Sequence, residues 1–194
     1  MCQVDGSIEA ADAVVVAGQL ARAWSVELHV VHVWSGLASA FSGLVAEDAA
    51  RRLLADEAAN AARRGAFISE QHFLIGPAAA NIELLGDELG AMLCVMGQHR
   101  HSRVRRLLFG SVAAEILRVT VRPLLLVSSA ADWPPTRLLV GDDGSPAALA
   151  GARLAAQITS LYHAELQLVR ADGAPLGGGG ESADVTVAEE GLTA

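Results

Sequence analysis

The sequence predicts an α/β fold in which a doubly wound, open, parallel five-stranded sheet carries helices on both faces. Two observations lead to this fold class. Apolar runs without clean alternation, "VELHVVHVW", "FLI", "AMLCVMG" and "PLLLV", are typical of strands that are buried on both faces. Longer stretches of helical period lie between these runs, and regular alternation of strands with helices indicates a parallel sheet.

The predicted helices begin and end at residues that favour such positions. Gly65 follows two arginines and supplies a left-handed cap to the second helix. Proline in the first turn starts the third helix, and Ser111 is an N-cap residue for the fourth. The predicted helices lie at about 8–24, at about 45–64, from Gly76-Pro77 onwards, and from Ser111 until shortly before Pro123, which opens the last strand.

The sequence contains a long internal repeat. "DGSIEAADAVVVAGQLARAWSVELHVVH" from Asp5 aligns without a gap with "DGSPAALAGARLAAQITSLYHAELQLVR" from Asp143, and a repeat of this length signals domain duplication. The Gly-rich end is predicted to be a flexible tail; the alternative is that "DVTVAEEG" within it forms a remnant third strand. The predicted parts are a complete domain at 1–128, a linker at 129–136, a partial second β-α-β copy at 137–171 and the tail at 172–194.

Composition limits the partners and the compartment that the chain can have. The formal net charge is −8 and the sequence pI is about 5.1, and a global negative field repels nucleic acid and anionic membranes. The sequence has neither a run of about eighteen uncharged apolar residues nor the basic and apolar segments of a signal peptide. Cys2 and Cys94 lack the spacing of a metal site or a disulfide framework. We therefore expect a cytoplasmic protein that binds neither nucleic acid nor a membrane.

Several candidate site residues fall at the carboxyl ends of predicted strands. Ligands in doubly wound sheets bind beyond these ends, near the topological switch point, and Asp5, His32 and Gly97 all lie there. Gly97 also opens a loop that closes on Gly110 and Ser111 at the start of a helix. The free N–H groups and partial positive charge of a helix start suit a phosphate, so the sequence predicts an anion site at this point.

The loop between Gly97 and Gly110 carries the one local basic patch of an acidic chain. Two interpretations stay open: a rim that attracts an anion, or a solvated loop in a chain whose basic residues are all arginine. The patch consists of Arg100, Arg103, Arg105 and Arg106.

The histidines do not predict a metal site or a catalytic site. His99 and His101 in the basic loop lack a clear third ligand and a carboxylate that would orient a base. His29 and His32 are interpreted as strand residues rather than ligands. We therefore predict no metal and no catalytic residue.

The order of these features resembles the universal stress protein family. A strand is followed by "DGS", a helix and "ELHVVHVW", and later by "VMG", a loop, "GS" and a helix ending in "RPLLLV". The resemblance covers nearly all of 1–128 and resumes at 137–171, and it implies an adenine nucleotide alpha-hydrolase-like fold. The ATP-binding branch has Gly, two residues, Gly, nine residues, then Gly with Ser or Thr. Here Gly97, Arg100 and Gly110-Ser111 keep that spacing, with Arg100 in place of the second glycine.

The resemblance also implies a site for an ATP-like adenine nucleotide. Asp5 and the end of the second strand would hold the adenosine, and the start of the fourth helix would hold the phosphates. Asp-Gly-Ser is also a common turn into a helix, so the role of Asp5 depends on the resemblance. The nucleotide-binding residues implied are Asp5, His32, Val33, Met96, Gly97, Arg100, Gly110, Ser111 and Val112.

Three functions stay open at this point. The first is a stress-response protein that binds the nucleotide and acts through partners or as a homodimer, formed through "RPLLLV". The second is a nucleotide-independent dimeric interaction module whose pocket has lost the ability to bind a nucleotide. Arg100 favours it, because a side chain in place of a phosphate-loop glycine costs ~1 kcal/mol or more in backbone strain. The third, a slow ATP hydrolase, is least favoured, since no metal-carboxylate set or positioned base is evident; we predict that the protein is not an enzyme.

Overall fold

The computed structural model describes residues 1–35, 40–98, 111–129, 132–171 and 185–188. The chain divides into two compact units, 1–131 and 132–194. The first unit contains a sheet of five strands and the second a sheet of three. Each unit therefore has a sheet of its own on which helices can pack.

The first unit alternates strands with helices. Along the chain its elements are β1 (Cys2–Gln3), α1 (Ile8–Trp24), β2 (His29–Trp34), α2 (Ala40–Arg63), β3 (Glu70–Ile75), α3 (Ala78–Glu88), β4 (Cys94–Gly97), α4 (Ser111–Val119) and β5 (Leu124–Val127). The strand order is β3-β2-β1-β4-β5, and all neighbouring strands are parallel. This confirms the predicted fold class. The order reverses between β1 and β4, so the switch point lies at the carboxyl ends of these two strands.

Close packing of small side chains positions the helices on the sheet. α1 packs on α2, and α3 packs on α4. On the side of α3 and α4, Val31, Ile82 and Ile116 belong to one cluster of buried apolar side chains. A Cβ added at Gly18 of α1 would lie 2.4 Å from the Cβ of Ala66. The absence of a side chain at Gly18 therefore lets α1 approach the segment before β3.

Three helix starts differ from those predicted. α2 begins at Ala40 rather than near 45. It includes Ser42-Gly43, a pair of low intrinsic helix propensity, and for this reason the sequence predicts a start that is too late. Pro77 is the N-cap residue of α3 rather than a first-turn residue, and Ser111 is the first helical residue of α4 rather than its cap. The differences at α3 and α4 amount to about one residue, within the range by which definitions of a helix end disagree. None of the described helices is long and apolar enough to cross a membrane.

The second unit consists of a parallel strand pair with one added strand. Its elements are β6 (Arg137–Asp142), α5 (Pro146–Tyr162), β7 (Glu165–Ala171) and β8 (Val185–Ala188). β6 and β7 are parallel and are joined by α5, whereas β8 pairs antiparallel with β7. A strand therefore lies where a flexible tail is predicted.

Arg122, in the turn before β5, joins that turn to α3. Its side chain is 9% exposed and donates from Nη1 to Oε2 of Glu83 at 2.8 Å and from Nη2 to Oδ1 of Asp87 at 2.5 Å. Its Nε donates to the carbonyl oxygen of Ala91 at 3.1 Å. Glu83 is 16% exposed and Asp87 is 72% exposed. The two carboxylates therefore bind the same guanidinium from environments of very different solvation.

Arg122→Leu is expected to lower the free energy of unfolding by about 3 kcal/mol, because the carboxylate of Glu83 would lose its partner away from water. Asp87→Asn removes only the exposed partner and is expected to cost less than about 1 kcal/mol. Chemical denaturation followed by circular dichroism measures both losses. Equal losses in the two variants would contradict the distinction between the buried pair and the exposed one.

Candidate functional site

The loop after β1 fixes Asp5 at the start of α1. Its Oδ1 accepts hydrogen bonds from the backbone N–H of Ser7 at 3.0 Å and from the Ser7 hydroxyl at 2.6 Å. The Oγ of Ser7 accepts in turn from the N–H of Ala10 at 3.1 Å, which makes Ser7 the N-cap residue of α1. Gly6 has a φ of 83°, which glycine adopts without steric strain. The turn therefore begins the helix and holds a carboxylate at the switch point.

His32 on β2 points toward the end of β1. Its Nδ1 lies 2.8 Å from the carbonyl oxygen of Val4, so Nδ1 carries the hydrogen in this contact. The ring of His32 lies nearly parallel to that of Phe73 on β3, with the ring centroids 6.2 Å apart. The structure thus brings His32 to the residue that directly precedes Asp5, which joins two predicted site residues in space.

Gly97 ends β4 against the first turn of α1. A Cβ added there would lie 2.5 Å from the nitrogen of Ala10 and 2.5 Å from the carbonyl carbon of Glu9. These are backbone atoms, which cannot rotate away as the end of a side chain can. The N–H of Gln98 donates to the carbonyl oxygen of Val127 at 2.7 Å. The close approach therefore holds the end of β4 beside the turn that carries Asp5.

The other described site residues lie either in or against the apolar core or at the start of α4. Met96 is 3% exposed and belongs to the apolar cluster beneath α3 and α4, and Val33 and Val112 pack against that cluster. A ligand at this edge would therefore meet Met96 through its main chain. Ser111 is the first residue of α4. Arg100 and Gly110 lie outside the described residues.

Glu57 on α2 is a charged residue near this edge that sequence reasoning misses. It is 7% exposed, and its Oε2 has no hydrogen-bond partner within the described parts of the chain. Burial raises the pKa of the Glu57 carboxyl, and the negative charge of Asp5 raises that pKa further. No sequence signal marks this residue, because a glutamate in a helix of mixed polarity is usually solvated.

The second unit repeats the same turn at the start of α5. Oδ1 of Asp143 accepts from the N–H of Ser145 at 2.9 Å, and Oγ of Ser145 accepts from the N–H of Ala148 at 3.1 Å. Gly144 has a φ of 79°. Hydrogen bonds from Ser145 lower the pKa of the Asp143 carboxyl. Among its described elements this unit has no counterpart of β4 and α4, so the turn forms there without a switch point.

A cavity of about 380 Å³ lies at the opposite end of the first sheet. Its lining includes Met1, Trp24, Val26 and Met92. It is therefore near the amino ends of β1, β2 and β4. Because ligands of doubly wound sheets bind at the carboxyl ends of the strands, this cavity is not the candidate nucleotide site.

The strand order, the switch point and the turn that holds Asp5 there define a doubly wound α/β protein of the class whose ligands bind at the carboxyl edge of the sheet. The chain belongs to the universal stress protein family, whose sequence profile matches residues 1–128. No curated protein matches the sequence at a significant level.

Solved structures with this fold include several universal stress proteins. One from Archaeoglobus fulgidus is 26% identical, with a TM-score of 0.56 over 65% of this chain and 95% of its own. A universal stress protein in complex with cAMP is 26% identical, with a TM-score of 0.53 over 66% of this chain and 94% of its own. Another, from Archaeoglobus fulgidus DSM 4304, is 18% identical, with a TM-score of 0.68 over 87% of this chain and 65% of its own. This last similarity is one of fold, and it extends beyond the residues that the family profile matches.

Gly97→Ala is expected to lower the free energy of unfolding by about 1–3 kcal/mol, because the added methyl group forces the backbone of α1 away. Gly151→Ala in α5 is the matched control, since its Cβ would meet nothing within 4 Å; it is expected to be neutral or to stabilise by up to about 1 kcal/mol. Thermal unfolding measures both. An unchanged midpoint for Gly97→Ala would show that β4 does not abut α1.

Proposed function

We propose that the first unit binds an ATP-like adenine nucleotide at the carboxyl edge of its sheet. The observation that carries this proposal is the convergence of Asp5, His32 and Gly97 around the end of β1. Family membership supports it, and so does the fold similarity to a 26% identical relative in complex with cAMP. We further propose that the protein acts in a cytoplasmic stress response, through dimerisation or partner proteins.

The charges along this edge favour one orientation of the nucleotide. Asp5 and Glu57 place carboxylates near α1, where the hydroxyl groups of a ribose are suitable donors. The N-terminus of α4 at Ser111 offers N–H groups and a partial positive charge, which suit phosphates. A nucleotide with its sugar toward Asp5 and its phosphates toward α4 therefore matches the charge at both ends.

We infer that the protein binds the nucleotide rather than hydrolysing it. Hydrolysis needs a group that positions the attacking water. Oδ1 of Asp5 already accepts two hydrogen bonds from Ser7, which hold that oxygen in the start of α1. This is the arrangement of a structural acceptor.

Phosphate release, measured at saturating ATP in parallel with the binding experiment below, tests the inference that the protein does not hydrolyse the nucleotide. Release above the uncatalysed rate would contradict it.

The alternative is a nucleotide-independent dimeric interaction module, and Arg100 in place of the second signature glycine favours it. A side chain at such a position costs ~1 kcal/mol or more in strain. A charge-assisted hydrogen bond from arginine to phosphate contributes ~1.5–3 kcal/mol. Because the second contribution is the larger, we propose that Arg100 acts as a phosphate ligand and that weak affinity is retained.

ATP is expected to bind the full chain saturably at millimolar concentration or below, and Asp5→Ala is expected to weaken binding at least about tenfold, because a carboxylate acceptor is lost. Isothermal titration calorimetry measures both affinities. Asp143→Ala is the matched control, since it removes the equivalent carboxylate of the second unit and the same type of turn. The affinity of the Asp143→Ala variant for ATP should equal that of the unaltered protein.

Arg100→Gly tests the proposed role of the arginine. We expect weaker ATP binding in the same titration, because the phosphate would lose its charged partner. Stronger binding would mean that the side chain obstructs a residual site. Absence of saturable binding in both folded proteins would reject the nucleotide proposal in favour of the interaction module.

We propose that the homodimer forms through β5. β5 is an edge strand of the first sheet, and an exposed edge presents unpaired N–H and C=O groups. Val119, the last residue of α4, and Val121, between α4 and β5, are 55% and 94% exposed. An apolar surface beside an edge strand is suited to pairing with a second copy.

Val121→Asp is expected to weaken dimerisation at least about tenfold, because a charge would be buried in the interface. Phe67→Asp is the matched control: Phe67 is 80% exposed, but it precedes β3, the other edge strand. Sedimentation velocity over a concentration series measures both. A chain that is monomeric throughout, or equal weakening by both variants, would contradict a β5 interface.

A further inference from the structure

Titratable side chains cluster at the amino ends of β2 and β3, the ends opposite the proposed nucleotide site. Nδ1 of His29 lies 3.0 Å from Nε2 of His72 and 3.5 Å from Oε2 of Glu70. The distance from Nε2 of His72 to the same oxygen of Glu70 is 3.9 Å. The imidazoles are 14% and 16% exposed. Two largely buried rings and one carboxylate thus converge on a single point.

The register between the two strands brings these side chains together. His29 is the partner of Glu70, and Val31 is the partner of His72, in the parallel pair. Side chains two positions apart on a strand project from the same face. His29, Glu70 and His72 therefore share one face of the sheet.

The shortest distance in the cluster places a requirement on its chemistry. Two imidazole nitrogens 3.0 Å apart cannot both present lone pairs to each other without repulsion. Either a proton on one nitrogen or a cation must lie between them. The carboxylate of Glu70 adds a negative charge beside the same point, which favours a cation.

We propose that His29, His72 and Glu70 form a binding site for a divalent transition-metal ion of the Zn²⁺ type. Nitrogen and oxygen ligands at ~2.0–2.2 Å from a tetrahedral Zn²⁺ lie ~3.3–3.5 Å from one another. The observed separations of 3.0, 3.5 and 3.9 Å bracket this range. Glu70 is 61% exposed, so its side chain has room for the small rotation required. The fourth position is left for water.

Glu27 supports the metal-binding form of His29. Its Oε2 lies 3.3 Å from Nε2 of His29. A hydrogen on Nε2 that is donated to this carboxylate leaves the lone pair on Nδ1, the nitrogen that faces His72. Histidine ligands of metals commonly donate their second N–H to a carboxylate in this way, which fixes the tautomer and strengthens the ligand.

The proposed ion would join an edge strand to its neighbour. β3 is the outermost strand on its side of the first sheet, and the ligands come from β2 and β3. His29 in this site and His32 in the proposed nucleotide site are three positions apart on β2, ~10 Å along the strand, and their side chains project from opposite faces of the sheet. The metal would therefore stabilise the edge of the sheet independently of the nucleotide.

The experiment uses the full chain freed of metal with a chelator and titrated with Zn²⁺ alone. We expect one Zn²⁺ to bind per chain and to raise the midpoint of thermal unfolding. Long-range ¹H–¹⁵N spectra of the unaltered protein should show metal-induced shifts at Nδ1 of His29 and at Nε2 of His72. This measurement requires no substitution, so it tests the site even if a variant fails to fold.

Substitutions locate the ion by calorimetry. His72→Gln, Glu70→Gln and Glu27→Gln are each expected to weaken Zn²⁺ binding at least about tenfold. Glu88→Gln removes another negative charge near His72 and His163→Asn removes an exposed histidine, and both should leave the affinity unchanged. Binding that survives the first three substitutions would overturn the proposal. Spectra in which the two ring nitrogens respond to pH but not to Zn²⁺ would show that the cluster holds only a shared proton.

Discussion

The contact between Gly97 and the first turn of α1 is the constraint on which the first unit depends. It lets a strand end directly against helical backbone, with no side chain between them. β1 and β4 can then end side by side at the point where the strand order reverses. A larger separation would move Asp5 away from the end of β4. The candidate site therefore depends on an absent side chain as much as on the side chains that are present.

The two ends of the first sheet carry different chemistry. At the carboxyl ends, backbone turns and a helix start surround the carboxylate of Asp5, and hydrogen bonds to the main chain fix both Asp5 and His32. At the amino ends, side chains of β2 and β3 bond mainly to one another. The first arrangement suits a ligand that lies across several loops, and the second suits a small ion between two strands.

Local sequence predicts those parts of the fold that local forces determine. The bounds of α1 are predictable because Ser7 caps it through a hydrogen bond within one turn. The start of α2 and the strand β8 are not. α2 continues through Ser42-Gly43 despite the low helix propensity of that pair, and β8 forms by pairing with β7, a contact that the local sequence does not specify. Intrinsic propensity is a weak guide wherever tertiary contacts oppose it.

The same distinction applies to the sites. Asp5, His32 and Gly97 are predictable because they lie in or just after the last half of a strand, and the carboxyl ends of parallel strands share one edge. Glu57 is not, because its burial depends on how α2 lies against the first loop. The pairing of His29 with His72 joins residues 43 positions apart, and the side-chain pattern of neither strand specifies the register that aligns them.

The Asp-Gly-Ser turns have a consequence for the order in which the chain folds. Their hydrogen bonds join residues only two or three positions apart, so little loop-closure entropy opposes their formation. Contacts of this kind form earlier than pairings between distant strands. During synthesis, the beginning of α1 can therefore take shape before β4 has left the ribosome. The late-arriving strand then docks onto a helix start that already exists, and its final glycine fits the surface that it meets.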